Sequence, residues 1–71
     1  MKENIILYAF RYCLGRQSYA VSEMVEYLLE NWKNISEQTK EKIKHEIECA
    51  IRSNEAGANI DVKEWKKILS K

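Results

Sequence analysis

The feature that most constrains the fold of this chain is its shortage of helix-breaking residues. It contains no proline and only two glycines, Gly15 and Gly57. Proline breaks a helix and glycine weakens one, so the long stretches outside these glycines are free to form helices. With 71 residues, the chain is short and can bury only about 60% of the surface that its unfolded state exposes. The expected fold is therefore all-α, a compact bundle formed by one domain over residues 1–71.

Start and stop signals, together with apolar residues at helical spacing, predict four helices. They are expected at about residues 3–14, 19–33, 36–54 and 61–70. Gly15 follows the last apolar residue of the first helix and is expected to end it in the left-handed conformation. Gly57 marks the turn before the last helix.

Three serines are candidate N-caps, since a serine hydroxyl can accept a hydrogen bond from a free backbone N–H at a helix start. Ser18 or Ser22 is expected to cap the second helix, and Ser36 the third. These positions set the predicted start of each helix.

The fourth helix has the strongest local signature. Asp61 is the expected N-cap and Glu64 follows three residues later, which is an acidic form of the capping box. Ile60 and Trp65 flank the cap at the spacing of a hydrophobic staple. The start of this helix is therefore the most sharply predicted boundary in the chain.

The first helix differs from the others because it has almost no polar face. Every residue from 5 to 14 is apolar or tyrosine except Arg11. A helix that is apolar all round has to be covered all round, and the other three helices can cover two of its sides. Self-association through the first helix, as a homo-oligomer, is the simplest interpretation, and a place at the centre of a tight monomeric bundle is the alternative. The expected core stripe consists of Ile6, Ala9, Phe10 and Cys13.

A second face of the first helix carries Tyr8, Arg11 and Tyr12, which lie together at spacings of three and four residues. Arg11 is expected to stack on Tyr8 and point its donors outward. Arginine matches phosphate, helix N-termini accept anions and aromatic rings stack on bases. This pattern predicts a planar anion of the nucleotide type, bound by Tyr8, Arg11, Tyr12, Arg16, Ser18 and Tyr19.

A purely structural interpretation of the two arginines stays open. Arg11 would then pair with Glu23, Glu26 or Glu30 of the second helix, and Arg16 would be a solvated loop residue. Ion-pair networks of this kind often have no binding role.

The sequence gives little support to metal binding or catalysis. His45 and Cys49 are four residues apart on the third helix, a spacing that can chelate zinc, and Cys13 is a third candidate ligand. A fourth ligand, a paired CxxC motif and a phosphate loop are all missing. We therefore expect no metal, no cofactor and no enzymatic activity.

Charge and hydropathy limit the partners. The formal net charge is +1, and the lysines of the third and fourth helices are interleaved with glutamates, which is typical of a solvated face. DNA binding is therefore a minor alternative. No apolar stretch reaches the length of a membrane span, and the N-terminus lacks the pattern of a signal peptide. A cytoplasmic location without a membrane partner is expected.

The segment YAFRYCLGRQSY at residues 8–19 resembles that of small phage- and prophage-encoded proteins with a Tyr-x-x-Arg-Tyr-x-Leu-Gly-Arg-x-x-Tyr motif. The helix start IDVKEW at residues 60–65 is similar too. The matching positions are Tyr8, Arg11, Tyr12, Leu14, Gly15, Arg16 and Tyr19. The resemblance implies a phage setting in the host cytoplasm but no particular activity.

The expected function is that of a small, non-catalytic accessory protein that acts by stoichiometric binding, in an anti-defence role. Its sharpest form is an oligomer that sequesters a nucleotide-type immune signal. One alternative is an inhibitor that docks on a host protein, and a second is a small DNA-binding regulator. The sequence leaves these alternatives open.

Overall fold

Four α-helices make up the fold in the computed structural model, which describes residues 2–16, 19–55 and 60–71. The elements are α1 (Glu3–Leu14), α2 (Tyr19–Asn31), a short 3-10 helix (Trp32–Asn34), α3 (Glu37–Glu55) and α4 (Val62–Leu69). No strand occurs within the described ranges, and the predicted all-α class is confirmed. The Cα radius of gyration of 11.3 Å is close to the value of about 11 Å expected for a compact domain of this length.

All four helices contribute to one core. Both α1 and α4 pack against α2 and α3. At the centre, Phe10 of α1 meets Trp65 of α4 with ring centroids 5.3 Å apart and ring planes at 84°, an edge-to-face arrangement that aromatic pairs prefer. The buried apolar side chains are Ile6, Leu7, Phe10, Cys13, Val21, Val25, Leu28, Ile35, Ile43, Ile47, Ile60, Trp65 and Ile68.

The start of α4 is as predicted. The Asp61 carboxylate accepts a hydrogen bond from the Glu64 backbone N–H at 3.2 Å. Ile60 and Trp65, the two members of the predicted staple, are both buried in the core. The signature was readable because every contact in it lies within five residues of sequence.

The starts of α2 and α3 only partly follow the prediction. The Ser36 hydroxyl accepts from the Thr39 backbone N–H at 3.4 Å, so the N-cap of α3 is confirmed. Ser22 lies inside α2, which begins at Tyr19, so the N-cap predicted there is wrong. Ser18 and Gly57 lie outside the described residues.

Gly15 ends α1, as expected, but in a different conformation. Its φ of −95° and ψ of 17° are not left-handed, so the predicted left-handed stop is wrong. The turn is closed instead by the Arg16 N–H, which donates to the Cys13 carbonyl at 3.0 Å. Nothing lies within 4 Å of the position that a Cβ on Gly15 would take, so neither backbone nor space requires glycine here.

The packing of α1 is one-sided. Ile6, Phe10 and Cys13 are buried as predicted, but Leu7 completes the stripe in place of Ala9, which is exposed. The reason is that α2 and α3 flank the helix on the side of Phe10, and Ala9 lies outside the arc that they cover. The helix is therefore not the centre of the bundle, and its third side is open to solvent.

Candidate functional site

The candidate site is the open side of α1. We use "the α1 outer face" for Ile5, Tyr8, Ala9 and Tyr12. Ile5 is three and four residues from Tyr8 and Ala9, and Tyr12 is four and three residues from them, so the four side chains form one stripe. Ile5 is 62% exposed, Tyr8 81% and Tyr12 66%. Contiguous exposed apolar side chains on a small protein mark interaction sites.

A shallow groove of about 590 Å³ runs along this stripe, lined by Asn4, Ile5, Tyr8, Ala9, Tyr12 and Cys13. None of these side chains is charged at neutral pH. Cys13 is buried, and its thiol donates weakly to the Ala20 carbonyl at 3.8 Å. Burial raises the pKa of the Cys13 thiol, which keeps it protonated and poorly nucleophilic. The groove is therefore suited to binding apolar surface rather than to chemistry.

A second groove, of about 230 Å³, adjoins the first on the side of α2. It is lined by Ile5, Ile6, Ala9, Met24 and Tyr27. Ile5 and Ala9 belong to both grooves, so the small Ala9 side chain lies low between two tyrosines of α1 and the Met24 and Tyr27 side chains of α2. The apolar surface is thus a groove with Ala9 at its floor, flanked by Tyr8 and Tyr12 of α1 and by Met24 and Tyr27 of α2.

Arg11 is engaged by α3. Its Nε donates to Glu46 Oε1 at 2.9 Å and its Nη2 to Oε2 at 2.8 Å, a two-point contact that matches the guanidinium to the carboxylate. These bonds and the charge of Glu46 raise the pKa of Arg11. Arg11 thus has a structural ion pair, but with α3 and not with Glu23, Glu26 or Glu30 of α2, the partners that the structural alternative named.

Arg16, rather than Arg11, stacks on a tyrosine. Its guanidinium carbon lies 4.2 Å from the centroid of the Tyr12 ring, within the range of a cation–π contact. The expected stacking of Arg11 on Tyr8 does not form, since the guanidinium of Arg11 is held by Glu46.

The predicted ligand-binding residues come together in part. Tyr8, Arg11 and Tyr12 line one shallow pocket of about 270 Å³, and Arg16 joins them through its stacking on Tyr12. Tyr19 is 90% exposed at the start of α2. Ser18 lies outside the described residues.

A contact that the sequence did not predict fixes the start of α1 against α3. The Glu3 carboxylate accepts from the Ser36 backbone N–H at 2.7 Å and from the Ser36 hydroxyl at 2.6 Å. It also accepts from the Thr39 hydroxyl. A carboxylate is favoured here because the N-terminus of α3 carries a partial positive charge. The hydrogen bonds from Ser36 and Thr39 lower the pKa of Glu3 to about 2.

Glu3 and Arg11 therefore attach α1 to α3 at two points, one near each end of the helix. Arg11 is 53% and its partner Glu46 28% exposed, so this pair is partly screened by solvent. Together with the buried stripe, the two attachments define how α1 is rotated. They determine which of its residues form the α1 outer face.

The candidate metal ligands come together only in part. Cys49 Sγ lies 3.6 Å from His45 Nε2 and 3.2 Å from the Arg52 guanidinium, all within α3. Cys13 contacts the start of α2 instead. Across residues 2–16, 19–55 and 60–71, no three His, Cys, Asp or Glu side chains form a group that could hold a metal ion.

No family model, curated protein or solved structure matches this chain. The similarity of the YxxRYxLGRxxY segment to phage-encoded proteins therefore stays a prediction from the sequence. Among the described helices, none is long and apolar enough to cross a bilayer. Function is accordingly inferred from the geometry of the α1 outer face.

Proposed function

We propose that this protein is non-catalytic and acts by stoichiometric binding, with the α1 outer face as its binding surface. The observation that carries the proposal is the uncharged groove beside Tyr8 and Tyr12, which are 81% and 66% exposed. Tyrosine is enriched in the cores of protein interfaces, and charged side chains are depleted there. The exposed tyrosines of α1 match that composition.

A protein surface suits this groove better than a free anion. The groove is lined without charge, and the Arg11 guanidinium is already taken up by Glu46. An anion would find the charge of Arg11 already balanced by Glu46, with only the guanidinium donors outside that two-point contact left to bind it. The proposal therefore places docking on a protein ahead of sequestration of a nucleotide.

A nucleotide-type ligand is the second candidate, and the observation that favours it is the stacking of Arg16 on Tyr12. No carboxylate within the described residues pairs with Arg16. Its guanidinium is thus available to a phosphate beside the pocket at Tyr8 and Tyr12. An anti-defence role in a phage setting would be compatible with either candidate and stays a proposal.

Affinity capture with three baits tests the main proposal. Wild type and the control Lys42→Ser/Glu48→Ser, which changes two exposed residues of α3 and keeps the net charge, are expected to retain the same partner at equal stoichiometry. Tyr8→Ser/Tyr12→Ser is expected to lose it. Equal retention by this double variant would remove the α1 outer face as the binding surface.

Calorimetry with a panel of linear and cyclic nucleotides tests the second candidate. Binding heat that is lost in Arg16→Ala and kept in the Lys42→Ser/Glu48→Ser control would assign a nucleotide to the pocket at Tyr12. Absence of heat across the panel would leave docking on a protein as the proposed function.

A further inference from the structure

We propose that the α1 outer face is covered by α1 of a second copy of this chain, in a two-fold symmetric pair whose helices cross at Ala9. This inference rests on the proposed function, because it names the occupant of the same surface. Shape, area and charge each support a second copy.

The shape of the groove is that of a helix-packing site. Its lining consists of two neighbouring rows of side chains, Asn4–Tyr8–Tyr12 and Ile5–Ala9–Cys13. Within each row the residues are four apart. Rows of this spacing form the ridges and grooves of the commonest helix–helix packing, in which the ridge of one helix enters the groove of another at about −50°. The groove therefore fits a helix.

The same face carries both the ridge and the groove. Tyr8, Tyr12 and Ile5 are exposed, while Ala9 is small and Cys13 is buried, so the face is high at its tyrosines and at Ile5 and low at Ala9 and Cys13. A two-fold axis through the crossing point brings the Ala9 side chains of the two copies together, and Tyr8 and Tyr12 of each copy then pack beside α1 of the other. The small Ala9 side chain at the crossing lets the two helix axes approach closely.

The exposed area matches a weak, reversible dimer. A fully exposed tyrosine side chain offers about 150–250 Å², so Tyr8 and Tyr12 at 81% and 66% exposure contribute about 300 Å². Ile5 and Tyr27, at 62% and 43% exposure, raise the contribution of one copy to about 500 Å². With all of this area covered, two copies would bury about 1,000 Å², which is below the roughly 1,200–2,000 Å² of stable specific interfaces and in the range of weak, transient ones.

Charge also favours a second copy. The formal net charge is +1, so two copies approach with little repulsion, and a net charge near zero promotes association. The groove offers no charged side chain, whereas Arg11 and Glu46 lie to one side of it as a neutral pair. This arrangement gives an apolar centre with a polar rim, as protein interfaces have.

Sedimentation over a range of concentrations tests this pairing with Ala9→Lys and a matched control. Ala9 is exposed in the single chain, so a lysine is expected to leave the fold intact. In the symmetric pair, however, two ammonium groups would face each other at the crossing. The control Gln38→Lys adds the same charge at an exposed position of α3.

Wild type and Gln38→Lys are expected to dimerise with the same Kd, and Ala9→Lys to weaken the dimer by at least about tenfold, as for the loss of an interface centre. An equal mixture of Ala9→Lys and Ala9→Glu should recover the dimer, because opposite charges then meet across the axis. Should Ala9→Lys fail to fold by circular dichroism, Tyr8→Ser removes a side chain that packs on the partner beside the crossing and should also weaken the dimer.

A wild-type chain that stays monomeric at all concentrations overturns the inference, as does a dimer that Ala9→Lys leaves intact. Failure of the mixed variants to associate contradicts the placement of Ala9 against Ala9. If wild type is monomeric while Tyr8→Ser/Tyr12→Ser loses a captured partner, the proposed function stands and the occupant is a different protein. The two proposals can therefore fail separately.

Discussion

The two faces of α1 have similar apolar content and opposite surroundings. The inner face presents Ile6, Leu7 and Phe10 to α2 and α3, and all three are at most 7% exposed. The outer face presents Tyr8 and Tyr12, which are more than half exposed. The difference lies in which residue types occupy each face, since tyrosine has an apolar ring and a hydroxyl that stays hydrated.

This difference indicates a division of roles within one helix. The inner face contributes to folding, whereas the outer face is apolar surface that folding of a single chain leaves unused. Substitutions on the two faces should therefore affect different measurements.

The largest expected effect on stability comes from substitution on the inner face of α1. Phe10→Ala removes a ring that is 0% exposed and packs edge-to-face on Trp65, so it should lower the free energy of unfolding by about 3–5 kcal/mol. Tyr8→Ala on the outer face should change it by less than about 0.5 kcal/mol. Urea denaturation followed by circular dichroism measures both, and similar losses for the two variants would break the comparison.

The next effect concerns Glu3, whose three hydrogen-bonding partners on Ser36 and Thr39 help set which face of α1 points inward. The pKa of Glu3 is lowered from 4.5 in the unfolded chain to about 2 in the fold. Its stabilisation is therefore fully present above pH 4.5 and is lost as the pH falls towards 2.

Glu3→Gln should lower the Tm at neutral pH and flatten the fall of Tm between pH 4.5 and 2, the range set by the two pKa values of Glu3. Thermal scans of wild type and variant across this range measure the change. Two curves that run parallel throughout would show that the carboxylate of Glu3 does not hold α1 to α3.

A smaller effect is expected at the start of α4, which supports the inner face through Trp65. Asp61→Ala removes the side chain that accepts from the Glu64 N–H, at a cost of about 1 kcal/mol in the free energy of unfolding. Asp61→Asn is the matched control, since asparagine caps about as well. Equal losses for alanine and asparagine would argue that the carboxylate charge, and not the cap, stabilises α4.

The smallest expected effect is a gain in stability on substitution of Gly15, where α1 ends. Its φ of −95° suits any residue and a Cβ would meet nothing within 4 Å. Gly15→Ala should therefore raise the free energy of unfolding by about 0.4–1 kcal/mol by restricting the unfolded chain. A loss of stability would mean that the turn uses the left-handed conformation after all.

The sequence predicted those structural features that depend on residues close together in the chain. The cap of α4 at Asp61 and the cap of α3 at Ser36 both involve contacts across three residues, and both are found. The failures at Gly15 and Ser22 are local too, but a glycine or serine near a boundary permits a stop or a cap without requiring one.

Contacts between helices could not be predicted from the sequence pattern. Arg11 pairs with Glu46 across 35 residues, and Glu3 with Ser36 across 33. From the sequence alone, several glutamates were equally possible partners for Arg11, because the rotation of α1 was not known. The same rotation puts Ala9 outside the core and Leu7 inside it. The open third side of α1 could nevertheless be expected, because too few helices were present to cover it.

The most direct test of the division of roles joins stability and association in one variant, Tyr8→Ser/Tyr12→Ser. Urea unfolding is measured at a concentration low enough for wild type to be monomeric, since dimerisation would itself stabilise the fold. We predict a free energy of unfolding within about 0.5 kcal/mol of wild type, together with loss of the dimer in sedimentation at high concentration. A variant that unfolds easily would contradict the division of roles between the two faces, and one that associates as wild type does would contradict the assignment of the α1 outer face to binding.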